Sequence, residues 1–222
     1  MAGWDLGRFM QTLAYFEVVP PLTWIQQMFQ PVPPPAQPTL QNAVIFDFRV
    51  LDRTLNQTLE QTWGAVDDVV MGGVSASQFQ LMPDGAWFSG KVSIENSGGF
   101  ASVRSRNFAQ PLDLSAFQGI ELRLQGDGQR YKFLLRTDSG WDTIAFSHAF
   151  DTLPAQWMTV RVPFAQMIPV FRARTLQNTA PLNARQVRSL QFMLSKFEYD
   201  GQLNPKFQPG PFQLKIESIR GY

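Results

Sequence analysis

Hydrophobic and polar residues alternate with a period of two along most of the chain from about residue 43 onward. In one clear segment, Ile120, Leu122 and Leu124 are separated by charged or amide side chains. Successive side chains of a strand point to opposite faces, so this pattern predicts strands with one buried and one wet face, as in antiparallel sheets. Strands are predicted at 43–50, 75–82, 86–94, 100–106, 120–125, 131–136, 143–150, 160–164, 189–195 and 212–217.

Turn-forming tripeptides separate several of these segments, at 83–85 (PDG), 126–128 (GDG) and 138–140 (DSG). These residue types favour turns because proline presets one backbone angle, glycine tolerates positive φ and aspartate bonds nearby amides. About ten short strands at this spacing predict an all-β fold, a β-sandwich of jelly-roll type. In the less regular segment 165–188, Asn183 is expected to cap a short helix over 184–188.

The first 30 residues follow a helical period instead. Apolar side chains recur at the spacing of one helix face, at Leu6, Phe9, Met10, Leu13 and Phe16. Trp24 lies in a second apolar stretch, which a proline-rich, polyproline-like connector follows. We therefore predict a helical arm over 1–30, a linker over 31–42 and a β-sandwich domain over 43–222. The arm is expected to dock on the sandwich, on a membrane surface or in a partner's groove.

The composition of the chain excludes several kinds of binding and catalysis. Nineteen basic and 18 acidic residues give a net charge of +1, which supplies no bulk field for binding nucleic acid. The chain has no cysteine and one histidine, His148, which excludes thiolate chemistry and zinc sites made of several histidines within one chain. Ser147 precedes His148 directly, and strand neighbours point apart, so the two do not form a nucleophile–base pair. No catalytic residue, metal site or cofactor is predicted.

The most unusual stretch is 63–75, WGAVDDVVMGGVS. If Asp67 and Asp68 lie in a turn, either carboxylate can accept a backbone amide or bind a hard cation. Gly72 and Gly73 suggest positive φ angles or a close backbone approach. The alternative interpretation is a strand that ends in a tight turn. Met71 stands between these two pairs.

A second glycine pair, Gly98 and Gly99, precedes a predicted strand that begins at Phe100. Arg104 and Arg106 are two residues apart, so both point to one face of that strand. Two arginines on one face favour an acidic partner or a carboxylate ligand. An ordinary solvent-facing sheet surface is the alternative.

An aromatic and arginine cluster follows in the irregular segment, where Arg172 and Arg174 flank Ala173 after Phe171. Such clusters are enriched in the energetic centres of protein interfaces. They also occur in packed loops that bind nothing.

Taken in series, the motifs resemble the complex I intermediate-associated protein 30 family. The blocks that carry the resemblance are 63–75, 87–90 (WFSG), 98–104 (GGFASVR), 126–131 (GDGQRY), 157–174 and 210–219. The resemblance implies a galactose-binding-like jelly roll and a role in assembling respiratory complex I; related domains occur in plastid and cyanobacterial proteins tied to photosynthetic complexes. The chain departs from the family at Arg172-Ala173, where the family has arginine-glycine, and the resemblance leaves 1–42 uncovered. Because the N-terminus has no presequence pattern, a bacterial, cyanobacterial member is expected.

Three functions follow as hypotheses. The first is a non-catalytic assembly factor that binds protein subunits of a membrane complex, either complex I-like or a photosystem. It would act in the cytoplasm or on the cytoplasmic face of a thylakoid or plasma membrane. The second is a jelly-roll carbohydrate-binding module with Trp87, Trp141 and Trp157 as its platform. A hydrolase using Asp67 and Glu95 is the weakest.

The first hypothesis assigns residues to two groups. The predicted partner-binding residues are Asp67, Asp68, Met71, Gly72, Gly73, Gly98, Gly99, Phe100, Arg104, Arg172 and Arg174. The arm is expected to add contacts through Leu6, Phe9, Met10, Leu13, Phe16 and Trp24.

Overall fold

The computed structural model describes residues 6–16, 34–38, 40, 42–49, 58–59 and 61–222. Within them lie one α-helix that precedes the sheets, α1 (Leu6–Tyr15), and thirteen strands. The strands are β1 (Val44–Asp47), β2 (Trp63–Ala65), β3 (Ala76–Met82), β4 (Gly85–Val92), β5 (Phe100–Ser105), β6 (Gly119–Gln125), β7 (Arg130–Arg136), β8 (Ala145–Asp151), β9 (Trp157–Pro163), β10 (Ile168–Phe171), β11 (Arg174–Thr175), β12 (Ser189–Ser195) and β13 (Gly210–Gly221). Short 3-10 turns cover Asp68–Met71, Glu95–Ser97, Phe164–Gln166 and Ala184–Gln186.

The strands form two antiparallel sheets. In the first sheet the order is β3-β4-β13-β6-β9, and β1 pairs with the C-terminal part of the long strand β13. In the second sheet the order is β11-β10-β8-β7-β12-β5-β2. All pairings between named strands are antiparallel. The predicted all-β sandwich of antiparallel sheets is therefore confirmed, while its assignment as a jelly roll stays a prediction.

A single large core lies between the sheets. Leu122 of β6, Leu214 of β13 and Phe133 of β7 are fully buried in it. An aromatic group adds to its edge, where the rings of Trp63 and Phe79 stack with centroids 5.0 Å apart. Fully burying one such apolar side chain contributes about 1.5–3 kcal/mol, so the inward positions of the alternating pattern provide the main stabilisation.

The two sheets differ on their outer faces. In β6 the outward residues are partly exposed, as the alternation predicts. In β5 and β7 both faces are buried, so the expectation of one wet face is wrong there. The outward side chains of Arg104 on β5 and Lys132 on β7 are only 4% and 2% exposed. Loops and α1 cover this face of the second sheet, and sequence alternation cannot show such a cover.

Strands β10 and β11 were not predicted; they have four and two residues, too few to display a period of two. Strand β2 and the 3-10 turn after it match the alternative interpretation of 63–75, a strand that ends in a tight turn. The predicted cap at Asn183 is present, because its side chain accepts the amide of Arg185 at 3.2 Å. The helix that it caps is a single 3-10 turn rather than a helix over 184–188.

Helix α1 does not support an arm that is separate from the β domain. The Tyr15 ring lies against Gly64 of β2, where an added Cβ would be 2.3 Å from the ring. The Phe16 ring lies 5.1 Å from the Trp141 ring. Among the predicted arm residues, Met10 and Leu13 are partly buried. Trp24 and the side chains of Leu6 and Phe9 lie outside the described residues.

The predicted division into 1–30, 31–42 and 43–222 stays a prediction, since most of the first two segments lies outside the described residues. In the part of the chain that the structure does describe, no helix has the length and apolar character needed to cross a membrane.

Candidate functional site

Asp68 lies at the start of a 3-10 turn, and its carboxylate points into the protein. The side chain is 1% exposed. Oδ1 accepts the amide of Ser75 at 2.9 Å, and Oδ2 accepts the Ser75 hydroxyl at 2.6 Å. Oδ2 also accepts the amides of Gly99 at 2.7 Å and Phe100 at 3.3 Å. The carboxylate therefore ties its own turn to the loop that precedes β5.

The Asp67 carboxylate also points into the protein, where it accepts hydrogen bonds from β3 and β5. It is also 1% exposed. Its carboxylate accepts the amide of Ser77 at 2.8 Å and the Ser77 hydroxyl at 2.6 Å, which fixes the start of β3. It accepts the amide of Ser102 on β5 at 3.1 Å as well. The two adjacent aspartates thus join β3 and β5, which belong to different sheets.

Glycines make room for the Asp68 carboxylate. A Cβ at Gly73 would lie 2.3 Å from Asp68 Cγ, and a Cβ at Gly98 would lie 2.5 Å from Asp68 Oδ2. Gly72 ends the 3-10 turn at φ +90°, a left-handed conformation that glycine adopts without strain. The close approach predicted for the first glycine pair therefore occurs at Gly73, and Gly98 of the second pair approaches the same carboxylate.

A third loop joins this region through Gly99. The Lys196 amide donates to the Gly99 carbonyl at 2.8 Å, and the Lys196 side-chain stem lies over Gly99. Phe197 and Leu203 form a β-bridge within the same loop. We call residues 66–75, 93–99 and 196–204 the aspartate loop cluster.

The outer surface of the aspartate loop cluster is apolar in part. Met71 is 77% exposed, Leu203 69% and Ile94 55%. Phe197 is exposed too, and the Lys196 ammonium lies 5.0 Å from its ring centroid. The fixed loops therefore present large apolar side chains to solvent, a feature typical of interaction surfaces.

The two aspartates of the cluster are fully engaged by hydrogen-bond donors inside the protein. The carboxylates of Asp67 and Asp68 are buried and accept several N–H and O–H donors each, so neither faces solvent. The predicted possibility that they cap backbone amides is confirmed. Partner contact by these two side chains, and by Gly73 and Gly99 behind them, would need the loops to open. Of the residues predicted here, Met71 is the one that projects outward.

Arg104 lies elsewhere, near the opposite end of β5 from Gly99. It is buried in the outer face of the second sheet, and its guanidinium lies 5.7 Å from the ring centroids of both Phe16 and Trp141. Arg106 lies on the same side, 5.9 Å from the Tyr15 ring centroid. The prediction that both arginines share one face is confirmed, but that face is covered.

Arg172 and Arg174 belong to a third location. They lie at the β10–β11 hairpin, at the edge of the second sheet far from β5. Arg172 is exposed and pairs with Asp142 at 2.6 Å, which raises the pKa of Arg172. Four strand spacings of about 4.8 Å separate β10 from β5. The structure therefore divides the predicted partner-binding residues among three places.

The three tryptophans proposed as a sugar platform are divided as well. Trp87 on β4 and Trp157 on β9 share one cross-strand row of the first sheet, with Lys215 and Gln125 between them. The Lys215 ammonium lies 4.4 Å from the Trp87 ring centroid, which covers that ring with a cation. Trp141 lies on the second sheet, in the loop that leads into β8.

The sequence analysis did not identify three of the exposed apolar side chains of the aspartate loop cluster, Ile94, Phe197 and Leu203. Each stands alone among polar neighbours in a loop, so no periodic pattern identifies it. The long 199–211 loop did carry a signal, because it is rich in proline and glycine. Its proximity to Gly99 depends on strand order, which the sequence does not show.

Comparisons with known proteins bear on this architecture. The family model described as complex I intermediate-associated protein 30 matches residues 47–216. No curated protein matches the chain. Among solved structures, the agarase AgWH50C matches with 8% identity over 81% of this chain and 26% of the agarase, at a TM-score of 0.50. At that identity the match shows a similar fold alone.

Two carbohydrate-binding modules are also similar. The family 11 module of the cellulosomal cellulase Lic26A-Cel5E of Clostridium thermocellum has 14% identity over 72% of this chain and 88% of the module, at a TM-score of 0.49. A module specific for non-crystalline cellulose has 8% identity over 85% of this chain and 96% of the module, at a TM-score of 0.44.

Proposed function

Because the chain belongs to the complex I intermediate-associated protein 30 family, we propose that it is a non-catalytic assembly factor for a membrane bioenergetic complex. Its clients would be subunits or intermediates of a complex I-like enzyme or of a photosystem. The observation that carries the proposal is family membership over residues 47–216. The aspartate loop cluster is the surface that we assign to client binding.

The exposed apolar side chains support this assignment. Methionine and aromatic residues are enriched at protein interfaces, whereas scattered charges are not. Met71 projects from a turn whose backbone is fixed by the Asp68 carboxylate. A surface that is already ordered loses less conformational entropy when it binds. The net charge of +1 favours recognition by apolar contact over long-range attraction.

The N-terminal segment has a second role in this proposal. Its helix α1 packs on the sandwich through Tyr15 and Phe16, so contacts from residues 1–30 would be held close to the β domain. Two linked contacts raise affinity through effective concentration. We place the protein in the cytoplasm or on the cytoplasmic face of a thylakoid or plasma membrane, with the segment as a peripheral contact.

Affinity purification from solubilised membranes, followed by mass spectrometry, tests the proposal. The wild-type chain is compared with the double variant Met71→Ser/Leu203→Ser. Loss of two exposed interface anchors is expected to reduce client recovery about tenfold, the effect of about 1.4 kcal/mol. The matched control is Met82→Ser/Ile144→Ser, which removes two exposed apolar side chains away from the cluster. Equal recovery with both double variants, or no membrane-complex subunit with the wild type, would overturn the assignment.

The alternative is a carbohydrate-binding module. The shared row of Trp87 and Trp157 favours it, while the cation over Trp87 and the separate position of Trp141 count against a common platform. A glycan array distinguishes the two functions. Saturable binding that is lost in Trp157→Ala would support the module, and silence of the array would remove it.

A further inference from the structure

A cavity opens at the end of the second sheet that lies away from the aspartate loop cluster. It has a volume of about 140 Å³. Its walls include Arg104, Arg106 and Asn107 from β5 and the residues that follow it, and the rings of Phe16 and Trp141. We call it the arginine cavity. Neither the family description nor the proposed function assigns it a role.

Arg104 is the unusual group in this cavity. It is 4% exposed. Its guanidinium donates to the Ser189 hydroxyl at 3.3 Å, to the Trp141 carbonyl at 3.1 Å and to Asn107 Oδ1 at 3.4 Å. All three acceptors are neutral, and two of the bonds are long. Among the described residues, no carboxylate contacts Arg104, and its five N–H donors exceed these three acceptors.

The electrostatic surroundings of Arg104 add to its shortage of hydrogen-bond acceptors. Burial and the nearby positive charge of Arg136 lower the pKa of Arg104 to about 9. Arg106, 8% exposed, lies in the same wall. Buried charges in proteins are normally paired with an opposite charge, because desolvation of an unpaired ion is costly. The shortage of acceptors around Arg104 therefore favours an anion in the cavity.

The size and walls of the cavity define what fits. Its volume equals that of about four or five water molecules at about 30 Å³ each. One phosphate or carboxylate group fits this space. Phe16 and Trp141 form apolar walls beside the guanidinium, which reduces the local dielectric and strengthens a charge-assisted hydrogen bond. The Oδ1 atom of Asn107 lies 3.4 Å from the Arg104 guanidinium. Its position shows where the oxygen of a bound anion could accept a hydrogen bond from Arg104.

We propose that the arginine cavity is an oxyanion-binding site, in which Arg104 holds one phosphate or carboxylate group. The ligand is a free small anion or the carboxylate of a peptide, and both have the same recognition chemistry. Phe16, the residue that follows helix α1, forms one wall, so the site is complete only when the N-terminal helix is docked. The site lies apart from the exposed apolar surface and does not depend on the assembly role.

The first test is a titration of the full chain with sodium phosphate, and separately with an acetylated peptide that carries glutamate residues. Ionic strength is held constant with sodium chloride. Binding is followed by calorimetry and by the rise in melting temperature, which grows as the logarithm of ligand concentration over the dissociation constant. Saturable binding of phosphate assigns a free anion, and tighter binding of the peptide assigns a carboxylate. Absence of saturation with both ligands overturns the proposal.

Two variants locate the binding. Arg104→Lys keeps the charge but removes the planar fork, and at least a tenfold loss of anion affinity is expected. Asn107→Asp places a carboxylate beside Arg104 and removes the Nδ2 group that donates to the Ser139 carbonyl at 2.7 Å. We expect it to abolish the rise of the melting temperature with phosphate, because the new carboxylate takes up the Arg104 donors. Asn107→Asp remains informative if Arg104→Lys folds poorly.

The control is Arg172→Gln, which removes an exposed arginine that is already paired with Asp142. It is expected to bind phosphate as the wild type does. Unchanged affinity in both Arg104→Lys and Asn107→Asp would show that any anion binds elsewhere, and would overturn the assignment to the arginine cavity.

Discussion

Asp68 and Arg104 are buried to nearly the same extent and carry opposite charges, yet their surroundings differ. The Asp68 carboxylate accepts three backbone amides and one hydroxyl, at distances from 2.6 to 3.3 Å. The Arg104 guanidinium meets three neutral acceptors at 3.1 to 3.4 Å. The Asp68 carboxylate is saturated by hydrogen-bond donors. The Arg104 guanidinium has more N–H donors than acceptors, and no carboxylate contacts it among the described residues.

This difference indicates a structural role for Asp68 and a binding role for Arg104. A buried carboxylate that is saturated by donors from two loops has no capacity left for a ligand, so Asp68 acts by positioning. A buried cation with spare donors and a cavity beside it retains that capacity. The motif that first attracted attention as a binding site thus builds a scaffold. Arg104, near the opposite end of β5 from Gly99, has the chemistry of an anion-binding site.

The largest expected effect follows from removal of the Asp68 carboxylate. Asp68→Ala leaves the amides of Gly99 and Phe100 without their acceptor. Each buried unsatisfied group costs about 1–3 kcal/mol, so the free energy of unfolding should fall by about 4 kcal/mol in urea titrations. Asp84→Ala is the control, because this exposed carboxylate pairs with the side chains of Lys215 and Trp87 at the surface. A loss for Asp68→Ala as small as that of the control contradicts the scaffold role.

Gly98→Ala should have an intermediate effect. The backbone of Gly98 has φ −64°, which alanine tolerates, so the cost comes from the Cβ placed 2.5 Å from Asp68 Oδ2. We expect the free energy of unfolding to fall by about 1–3 kcal/mol, as for other overpacked sites.

A double-mutant cycle gives this prediction its control. In the Asp68→Ala background the cost of Gly98→Ala should fall by about half, because the carboxylate that it opposes is gone. Part of the cost should remain, since the new Cβ also lies 2.9 Å from the Glu95 carbonyl oxygen. Strictly additive effects would show that Gly98 does not serve the carboxylate.

Arg104→Met tests whether the buried charge of Arg104 contributes to stability as that of Asp68 does. Replacing a buried charge with an apolar side chain of similar length is often neutral or stabilising. We expect the free energy of unfolding to change by less than about 1 kcal/mol in phosphate-free buffer. A loss as large as that of Asp68→Ala would mean that Arg104 is as fully compensated as the aspartate, and would remove the contrast.

The smallest effect concerns pH and His148. Burial, together with the positive charge of Arg130, lowers the pKa of His148 below its ordinary 6.5, although a backbone hydrogen bond opposes this. The unfolded chain then binds a proton more readily than the folded one, so stability is lost as pH falls below about 6.5. Urea titrations from pH 7.5 to 5.5 should show this decline in the wild type.

The same titrations on His148→Gln should give a flatter profile, because His148 is the only histidine and carboxyl groups titrate near 4. Identical profiles for the two proteins would show that His148 is not the group responsible.

The sequence reveals the parts of this molecule that depend on local pattern. The alternation at Ile120, Leu122 and Leu124 predicted β6, and Asp68 could be recognised as a residue that accepts backbone amides. The compensation of a buried charge depends on distant residues instead. Arg104 bonds Ser189, which is 85 residues away, and its lack of a carboxylate is a property of the packed sheet. The same holds for Met71 and Leu203, whose loops are joined through the bonds of Gly99 to Asp68 and Lys196 and not through sequence spacing.

The most direct test of the comparison is one NMR titration with phosphate at constant ionic strength, observing the side-chain Nε–H of Arg104 together with the backbone amides of Gly99 and Ser75. We predict that the Arg104 resonance and the Trp141 indole shift saturably while Gly99 and Ser75 remain unchanged. Absence of a saturable shift at Arg104, or shifts of equal size at the two amides held by Asp68, would contradict the account.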